Sequence, residues 1–564
     1  MRHEEEFGSG SKRRGARQYL GAGGGGKRRL TLTLMLVCSL VASACTSASR
    51  EPQQDAQQPI AGKNPAYTTG AANANMSSGT LGRISREEQS DTEAYSRIEE
   101  NPFFEVARAP LSTFSIDVDT ASYSNMRRFI REGRLPPKDA VRIEELINYF
   151  PYEYPQPAGS APFSVTAEVA ECPWNNAHRL VHIGLQGKRI ELQNVPPANL
   201  VFLLDVSGSM NDPNKLPLLK SALAMLVEQL RPNDRVAIVV YAGSSGLVLP
   251  STPGSRSTEI LAALDNLQAG GSTNGGEGIR LAYRVAQENF IQGGTNRVIL
   301  ATDGDFNVGT TSEGELVGLI EEKRQSGVFL SVLGFGTGNL KDSTMEKLAD
   351  KGNGHYAYID SMAEARKVLG GELGGSIATI AKDVKIQVEF NPKQVAGYRL
   401  IGYENRLLHD RDFNDDTKDA GEIGAGHSVT ALYEIVPAGQ KVEGTNIDAL
   451  KYQQQEPLSP SNAADSREMM TVKLRYKEPS ADESKLLSVG VADGGGALQN
   501  ASDNFKFSSA VAGFGMLLRD SKHKGSASYE RVLQLARAST GTDLHGYRSE
   551  FVQLVESAKR LSMQ

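Results

Sequence analysis

Between residues 198 and 373, short apolar runs alternate with segments in which apolar residues recur at helical spacing. The run Asn199–Asp205 (NLVFLLD) is apolar almost throughout and ends in a carboxylate, which is typical of a strand buried on both faces. Similar runs follow at 235–241, 297–302, 328–333 and 355–359. This alternation predicts an α/β domain with a doubly wound, mostly parallel sheet that is covered by helices on both faces. Ligands of such sheets bind at the carboxyl ends of the strands.

The segments on either side of this domain have different patterns. In residues 101–197, strand-like runs accompany a short helical pattern near 120–133, which predicts a small N-terminal α+β unit. In residues 374–564, strand-like runs are followed by three helical patterns near the end of the chain. We therefore predict a C-terminal β-rich unit that ends in helices. A chain of 564 residues is long enough for several such units.

The N-terminal region has the pattern of an exported protein. Basic residues 27–29 precede an apolar run at 30–44, which is too short to span a bilayer and typical of a signal peptide. The small residues before Cys45 resemble a bacterial lipobox, so we predict a signal peptide over 1–44 and lipidation of Cys45. An ordinary secretory signal that is cleaved after Ala44 is the alternative.

Residues 45–100 contain few large apolar side chains and are rich in Ser, Ala, Gln, Asn and Thr. Such a segment buries too little surface to fold, so we predict a flexible tether between the lipid and the folded body. This arrangement predicts a lipid-anchored protein of the bacterial cell envelope. Thr46 after Cys45 favours the outer membrane if the source has two membranes.

Composition excludes some classes of function. The formal net charge of −6 argues against nucleic-acid binding, which needs a basic surface. Without the signal peptide, and with Cys45 lipidated, Cys172 is the remaining thiol of the chain's 3 Cys, so no intramolecular disulfide can form. We predict that Cys172 is a buried apolar residue rather than a nucleophile.

Oxygen-bearing side chains follow two predicted strands of the α/β domain and precede one of its predicted helices. Because the carboxyl ends of parallel strands meet at one edge of a sheet, we expect these side chains to lie close together. Carboxylate and hydroxyl oxygens are hard ligands of the kind that Mg²⁺ prefers. In chain order the candidates are Asp205, Ser207, Ser209, Thr273 and Asp303.

These residues occur in three motifs: DVSGSM at 205–210, GGSTN at 270–274 and ATDGD at 301–305. Together the motifs resemble the metal-ion-dependent adhesion site of von Willebrand factor type A domains. The resemblance implies that the hydroxyls of Ser207, Ser209 and Thr273 bind Mg²⁺ or Mn²⁺ directly, while Asp205 and Asp303 act largely through bound water. It also implies that a carboxylate of a protein partner completes the coordination. Ser272 remains an alternative to Thr273.

A wider resemblance covers the chain from about residue 101 to its end. The sequence is similar to the YfbK-type subfamily of bacterial type A domain lipoproteins. The segments that carry this resemblance are 101–103, 110–125, 142–155, 382–436 and 505–552. We therefore expect a non-enzymatic protein, anchored in a membrane through Cys45, that mediates metal-dependent protein–protein interaction.

Two other functions remain open on the sequence. Asp117 and Asp119 follow an apolar run and partly match the start of the haloacid-dehalogenase-type phosphotransferases, so a metal-dependent phosphatase or hydrolase is one alternative. A strand end that caps the helix near Ala121 explains the same residues. The other alternative is a structural scaffold whose metal only stabilises the fold. The acidic residues at 412–416 predict a solvated loop, with a calcium site unlike an EF-hand as the alternative.

Overall fold

The computed structural model describes residues 93–191, 194–271, 275–304, 312–372, 378–418, 420–444 and 466–564. The predicted signal peptide, Cys45 and most of the predicted tether lie outside the described residues. Within the described ranges, no helix combines the length and apolar character that a bilayer-crossing helix requires.

The first described segment supplies strands and two helices to the body of the protein. Helix α1 begins at Ala121, as the sequence predicts. The side chain of its N-cap residue Thr120 makes no hydrogen bond to the first turn. The carboxylate of Glu145 instead accepts a hydrogen bond from Ser122 N at 2.8 Å, so the capping prediction is wrong. The elements are β1 (Phe104–Glu105), β2 (Leu111–Ser115), α1 (Ala121–Arg131), α2 (Ile143–Asn148), β3 (Phe163–Glu171) and β4 (Arg179–Gly187).

The central segment forms the predicted α/β domain. Its strands are β5 (Ala198–Asp205), β6 (Arg235–Tyr241), β7 (Ser245–Pro253), β8 (Thr295–Thr302), β9 (Val328–Phe335) and β10 (Tyr356–Ile359). Its helices are α3 (Leu216–Glu228), α4 (Ser257–Asp265), α5 (Gly275–Glu288), α6 (Glu313–Gln325), α7 (Asp342–Lys351) and α8 (Met362–Ala365), which continues as a π-helix over Arg366–Glu372.

The sheet of this domain has the strand order β10-β9-β8-β5-β6-β7, and only β7 runs antiparallel to its neighbour. Strand β5 is buried along its whole length. Leu200, Phe202 and Leu204 join the apolar core on one face, while Val201 and Leu203 join the core on the other. This two-residue alternation explains why β5 is apolar on both faces, and it confirms the predicted doubly wound sheet.

The C-terminal segment contains more strands and the final helices. Its strands are β11 (Thr379–Phe390), β12 (Val395–Ile401), β13 (Ile423–Gly424), β14 (Ser428–Pro437), β15 (Glu468–Lys477) and β16 (Ser484–Ala492). Its helices are α9 (Asp503–Arg519), α10 (Tyr529–Ala538) and α11 (Tyr547–Leu561). This segment is β-rich and ends in helices, as the sequence predicts.

Strands from the two flanking segments pair with one another within shared antiparallel sheets. One sheet has the order β1-β12-β14-β4-β3, and in the other β11 lies between β2 and β15. Apolar side chains from both sheets share one core, so the sheets form a sandwich. The final helices pack with α1 and α2 over a second core that contains the buried Cys172, whose pKa burial raises above its usual range.

Buried ion pairs connect this sandwich to the central domain. The guanidinium of Arg406 contacts carboxylates of Asp119, Glu346 and Asp350, and we call these four residues the Arg406 network. Glu346 and Asp350 lie four residues apart on α7, so one face of this helix points toward the sandwich. Removal of one member of such a buried network costs about 3–5 kcal/mol, because charges remain without a partner.

Candidate metal centre

Asp205 is the last residue of β5, and its side chain is fully buried at the carboxyl end of the sheet. Its Oδ1 accepts a hydrogen bond from Ser207 N at 2.9 Å. Its Oδ2 accepts hydrogen bonds from the hydroxyls of Tyr241 at 3.3 Å and Thr302 at 3.2 Å. Tyr241 and Thr302 end the neighbouring strands β6 and β8, so three strands together fix the orientation of this carboxylate.

The two serines lie on the loop that follows Asp205. The hydroxyl oxygens of Ser207 and Ser209 are 3.0 Å apart. Ser207 is buried, whereas Ser209 is exposed in the short 3-10 turn Gly208–Asn211. The pair therefore extends from the sheet edge to the solvent, and two hydroxyl oxygens at this separation can contact one small cation.

Asp303 follows β8 and faces the same site. Its carboxylate is buried, and Lys215 Nζ lies 2.9 Å from its Oδ2. Hydrogen bonds from Ser209 and Asn339 also reach this carboxylate. Burial alone would raise the pKa of Asp303, but these hydrogen bonds and the charge of Lys215 keep the pKa below its ordinary value.

The backbone after Asp303 explains its position. Gly304 has φ +101, a left-handed conformation that favours glycine, and a Cβ there would lie 2.7 Å from the carbonyl oxygen of Asn339. Gly304 N donates a hydrogen bond to Thr302 Oγ1 at 3.2 Å. The chain therefore turns tightly against the loop at 339–341, which keeps Asp303 at the sheet edge.

The charges of the site favour a cation. Burial, with a smaller contribution from the charge of Asp303, raises the pKa of Asp205 to about 6. The ammonium group of Lys215 contacts Asp303 and is not among the groups that contact Asp205. A divalent cation beside both carboxylates would lower the pKa of Asp205, so the donor set and its charge fit Mg²⁺ or Mn²⁺.

Thr273 lies outside the described residues, and its role as a ligand remains a prediction. Gly270 and Gly271 of the same motif are described and contact the serine loop. Gly270 N donates to Val206 O at 2.7 Å, and Gly208 N donates to Gly271 O at 3.1 Å. Two of the three predicted motifs are therefore joined by backbone hydrogen bonds.

Four residues that position the two carboxylates were not among the residues predicted from the sequence. Tyr241, Thr302 and Asn339 bond the two carboxylates, and Lys215 forms the ion pair with Asp303. Thr302 directly precedes Asp303 in the ATDGD motif, so its position was visible in the sequence. Lysine is usually exposed, and the burial of Lys215 depends on Gly336, where a Cβ would overlap the lysine side chain.

The structure places Asp119 away from this site. Its carboxylate is buried, accepts a hydrogen bond from Tyr356 N at 2.7 Å and belongs to the Arg406 network. Asp117 lies nearby and lines a cavity at the other end of the sheet. In the acidic loop, the carboxylates of Asp415 and Asp416 bond Thr417 and Ser484. Within the described ranges, no group of three or more His, Cys, Asp or Glu side chains is arranged to hold a metal.

Comparison with family models gives three matches along the chain. A model described as von Willebrand factor matches residues 89–182, and the von Willebrand factor type A domain matches residues 199–370. The model of the C-terminal part of the uncharacterized protein YfbK matches residues 375–561. The uncharacterized protein YfbK of Escherichia coli (strain K12) is 44% identical over 474 residues, which are 83% of this chain and 81% of that protein. The chain belongs to the YfbK family.

More distant matches cover smaller shares of this YfbK-family protein or are less similar to it. Inter-alpha-trypsin inhibitor heavy chain H4 of Homo sapiens is 29% identical over 161 residues, which are 27% of this chain and 17% of that protein. The solved von Willebrand factor type A protein from Catenulispora acidiphila is 15% identical and covers 69% of this chain and 89% of its own, with a TM-score of 0.39. Type A domain proteins mediate protein–protein interactions, often through a metal ion.

Proposed function

We propose that this YfbK-family protein binds a protein partner through a divalent metal ion held at the carboxyl ends of its central strands. One observation carries the proposal. Two buried carboxylates and two adjacent hydroxyls, one of them exposed, lie at a single sheet edge of a type A domain. The residues that would hold the ion are Asp205, Ser207, Ser209, Thr273 and Asp303.

The ligand set determines what the ion would supply. Hydroxyl oxygens carry no charge, so they neutralise less of the ion's charge than carboxylate ligands would. A bound ion therefore supplies an electrophilic position for a carboxylate of the partner. Ser209 is exposed at this position, so an acidic side chain can approach from the solvent. The loops around the site would then select the partner by shape and charge.

The proposal also includes the location of the protein. Its support is the sequence at 27–45, where basic and apolar residues precede Cys45, and the polar composition of the following segment. We infer that lipid on Cys45 anchors the chain in the cell envelope, in the outer membrane of a source with two membranes. In this position the protein acts by binding and not by catalysis.

Asp205→Ala tests the proposal, with Asp212→Ala as the matched control. Asp212 lies on the same loop, but its side chain is 64% exposed and its carboxylate is 4.0 Å from Lys215 Nζ. Each protein is immobilised and incubated with detergent-solubilised envelope proteins of the source bacterium, in Mg²⁺ or in EDTA. We expect the wild type and Asp212→Ala to retain partners only in Mg²⁺, and Asp205→Ala to retain none. Mg²⁺ binding together with the same retained partners in Asp205→Ala would refute the proposal.

A further inference from the structure

A second polar site lies at the opposite end of the central sheet. A cavity of ≈ 240 Å³ is located between the central domain and the sandwich. Arg297, near the start of β8, lines this cavity. Asp350 on α7 and His355, which directly precedes β10, line it as well. Arg297 precedes Asp303 by six positions, or about 20 Å along an extended strand. This cavity is therefore separate from the candidate metal centre.

The guanidinium of Arg297 is buried without a matching anion. Arg297 is 3% exposed, and its Nη1 donates a hydrogen bond to Ser331 Oγ at 2.6 Å. Its Nε is buried and has no hydrogen-bond partner. Among the described residues, no carboxylate lies within ion-pair distance of it. Burial lowers the pKa of Arg297, with the charge of Glu422 acting in the opposite direction. A buried charge of this kind is costly unless an anion approaches it.

The other walls of the cavity carry both signs of charge, because Asp117, Asp350 and Glu422 are acidic and Lys351 and Arg406 are basic. Asp350 Oδ1 is buried and has no hydrogen-bond partner, while the other oxygen of this carboxylate contacts Arg406. The carboxylate of Glu422 also lines the cavity and accepts a hydrogen bond from Thr379. His355 adds a neutral ring, because burial lowers its pKa to about 3. A simple anion would meet the carboxylates and a simple cation would meet the basic side chains, so the walls favour a ligand that carries both charges.

We propose that this cavity binds a small zwitterion of amino-acid type. The carboxylate of the ligand pairs with the guanidinium of Arg297, and its ammonium group faces the carboxylates of Glu422 and Asp350. At about 30 Å³ for each water-sized group, the cavity holds about eight non-hydrogen atoms, which is the size of a small amino acid. Arginine is suited to this role because its planar guanidinium binds a carboxylate with two parallel hydrogen bonds.

The binding test uses the full chain in EDTA, so that the metal centre does not contribute. L-Alanine, L-serine, L-valine and L-aspartate are titrated by calorimetry, beside propionate and ethylamine, which each carry half of the zwitterion. We expect saturable binding of at least one amino acid and at least tenfold weaker binding of both half molecules. Binding of none of the amino acids, or equal binding of propionate, overturns the proposal.

Arg297→Met tests the role of the guanidinium, with Arg235→Met as the matched control. Arg235 lies on β6, and its guanidinium bonds Ser251 instead of facing the cavity. We expect Arg297→Met to weaken amino-acid binding at least tenfold and Arg235→Met to leave it unchanged. In the absence of ligand, the urea midpoint of Arg297→Met should equal or exceed that of the wild type, since an unmatched buried charge is removed.

A lower urea midpoint for Arg297→Met, together with unchanged amino-acid binding, would make Arg297 an ordinary structural residue and overturn the proposal. Mg²⁺ binding by the same variant provides a separate readout. We expect it to match the wild type, because the two sites lie at opposite ends of the sheet. Loss of the metal proposal would therefore not change the meaning of the amino-acid titration, and loss of the amino-acid proposal would not change the meaning of the Mg²⁺ titration.

Discussion

Lys215→Met tests whether Asp303 belongs to a metal site. The wild-type ammonium group lies 2.9 Å from Asp303 Oδ2, and the two side chains are 6% and 0% exposed. Methionine keeps most of the volume of lysine but removes its charge. The variant therefore leaves the carboxylate of Asp303 buried without the cation that lowers its pKa in the wild type.

The size of the effect follows from this burial. Loss of one partner of a buried ion pair costs about 3–5 kcal/mol, so the metal-free variant should be less stable by that amount. A bound divalent cation would replace the missing charge. At a Mg²⁺ concentration about 100 times its dissociation constant, binding alone stabilises a protein by about 2.7 kcal/mol. Mg²⁺ should bind the variant more tightly than the wild type, so the stability difference should shrink in Mg²⁺.

The assay is urea unfolding followed by circular dichroism, in EDTA and in Mg²⁺, for the wild type, Lys215→Met and Lys220→Met. Lys220 lies on the same helix, where its ammonium group bonds the carbonyl oxygens of Asp265 and Leu267 instead of a carboxylate. Its variant should respond to Mg²⁺ as the wild type does. An equal loss of stability for Lys215→Met with and without Mg²⁺ would show that Asp303 is not coupled to a metal.

Three further predictions concern the fold and the site. The first concerns His182 on β4, whose pKa burial lowers to about 4 in the folded protein. Above about pH 6.5 the ring is neutral in both the folded and the unfolded chain. As the pH falls from 6.5 toward 4, the unfolded chain takes up a proton that the folded protein does not, so the fold loses stability. Between pH 7 and pH 5, the free energy of unfolding measured in urea should therefore fall less for His182→Gln than for the wild type, by about 1.4 kcal/mol for each pH unit below 6.5. An equal fall in the two proteins would contradict this prediction. Arg406→Met should lower the free energy of unfolding by about 3–5 kcal/mol, because the carboxylates of the Arg406 network lose their shared cation, and a loss below about 1 kcal/mol would argue against this role. Gly304→Ala should cost about 1–3 kcal/mol and weaken Mg²⁺ binding, whereas Gly338→Ala, at φ +91 with open space, should cost less and leave Mg²⁺ binding unchanged. Equal effects of the two glycine variants on Mg²⁺ binding would contradict the role of Gly304.

Local patterns predict most elements of the central domain. The strand Asn199–Asp205 is observed as Ala198–Asp205, and the run at 235–241 is observed with the same limits. Both strands are buried on two faces, so their apolar runs are continuous and easily recognised. Strand β16 at Ser484–Ala492 is not predicted, because it is an edge strand in which Val491 is the one buried apolar residue.

The arrangement of the flanking segments is not visible in the local sequence. Val388 pairs with Ser112, and Tyr433 pairs with Val181, although more than 250 residues of chain separate the members of each pair. Periodicity indicates which residues face a core, but it does not indicate which strands become neighbours. The same limit applies to the Arg406 network, whose members come from distant segments and have no common motif.

Part of the candidate metal centre was predictable from the sequence, because most of its residues lie at the ends of strands. Asp205, Ser207 and Asp303 occur at strand ends, and the topology of a doubly wound sheet brings such ends together. Lys215 has no such signal, because its burial depends on contact with Gly336 on another strand end. The four described candidate residues lie at one sheet edge, while the ion and Thr273 remain predictions.

Calorimetric titration of Mg²⁺ and Mn²⁺ into the purified chain tests the central claim most directly. The wild type is compared with a Ser207→Ala, Ser209→Ala double variant and with Ser221→Ala, whose hydroxyl is remote and bonds Pro217 O. We predict saturable one-site binding by the wild type and Ser221→Ala, and loss of binding in the double variant. Equal binding by all three proteins, or no binding by the wild type, would contradict the proposed metal centre.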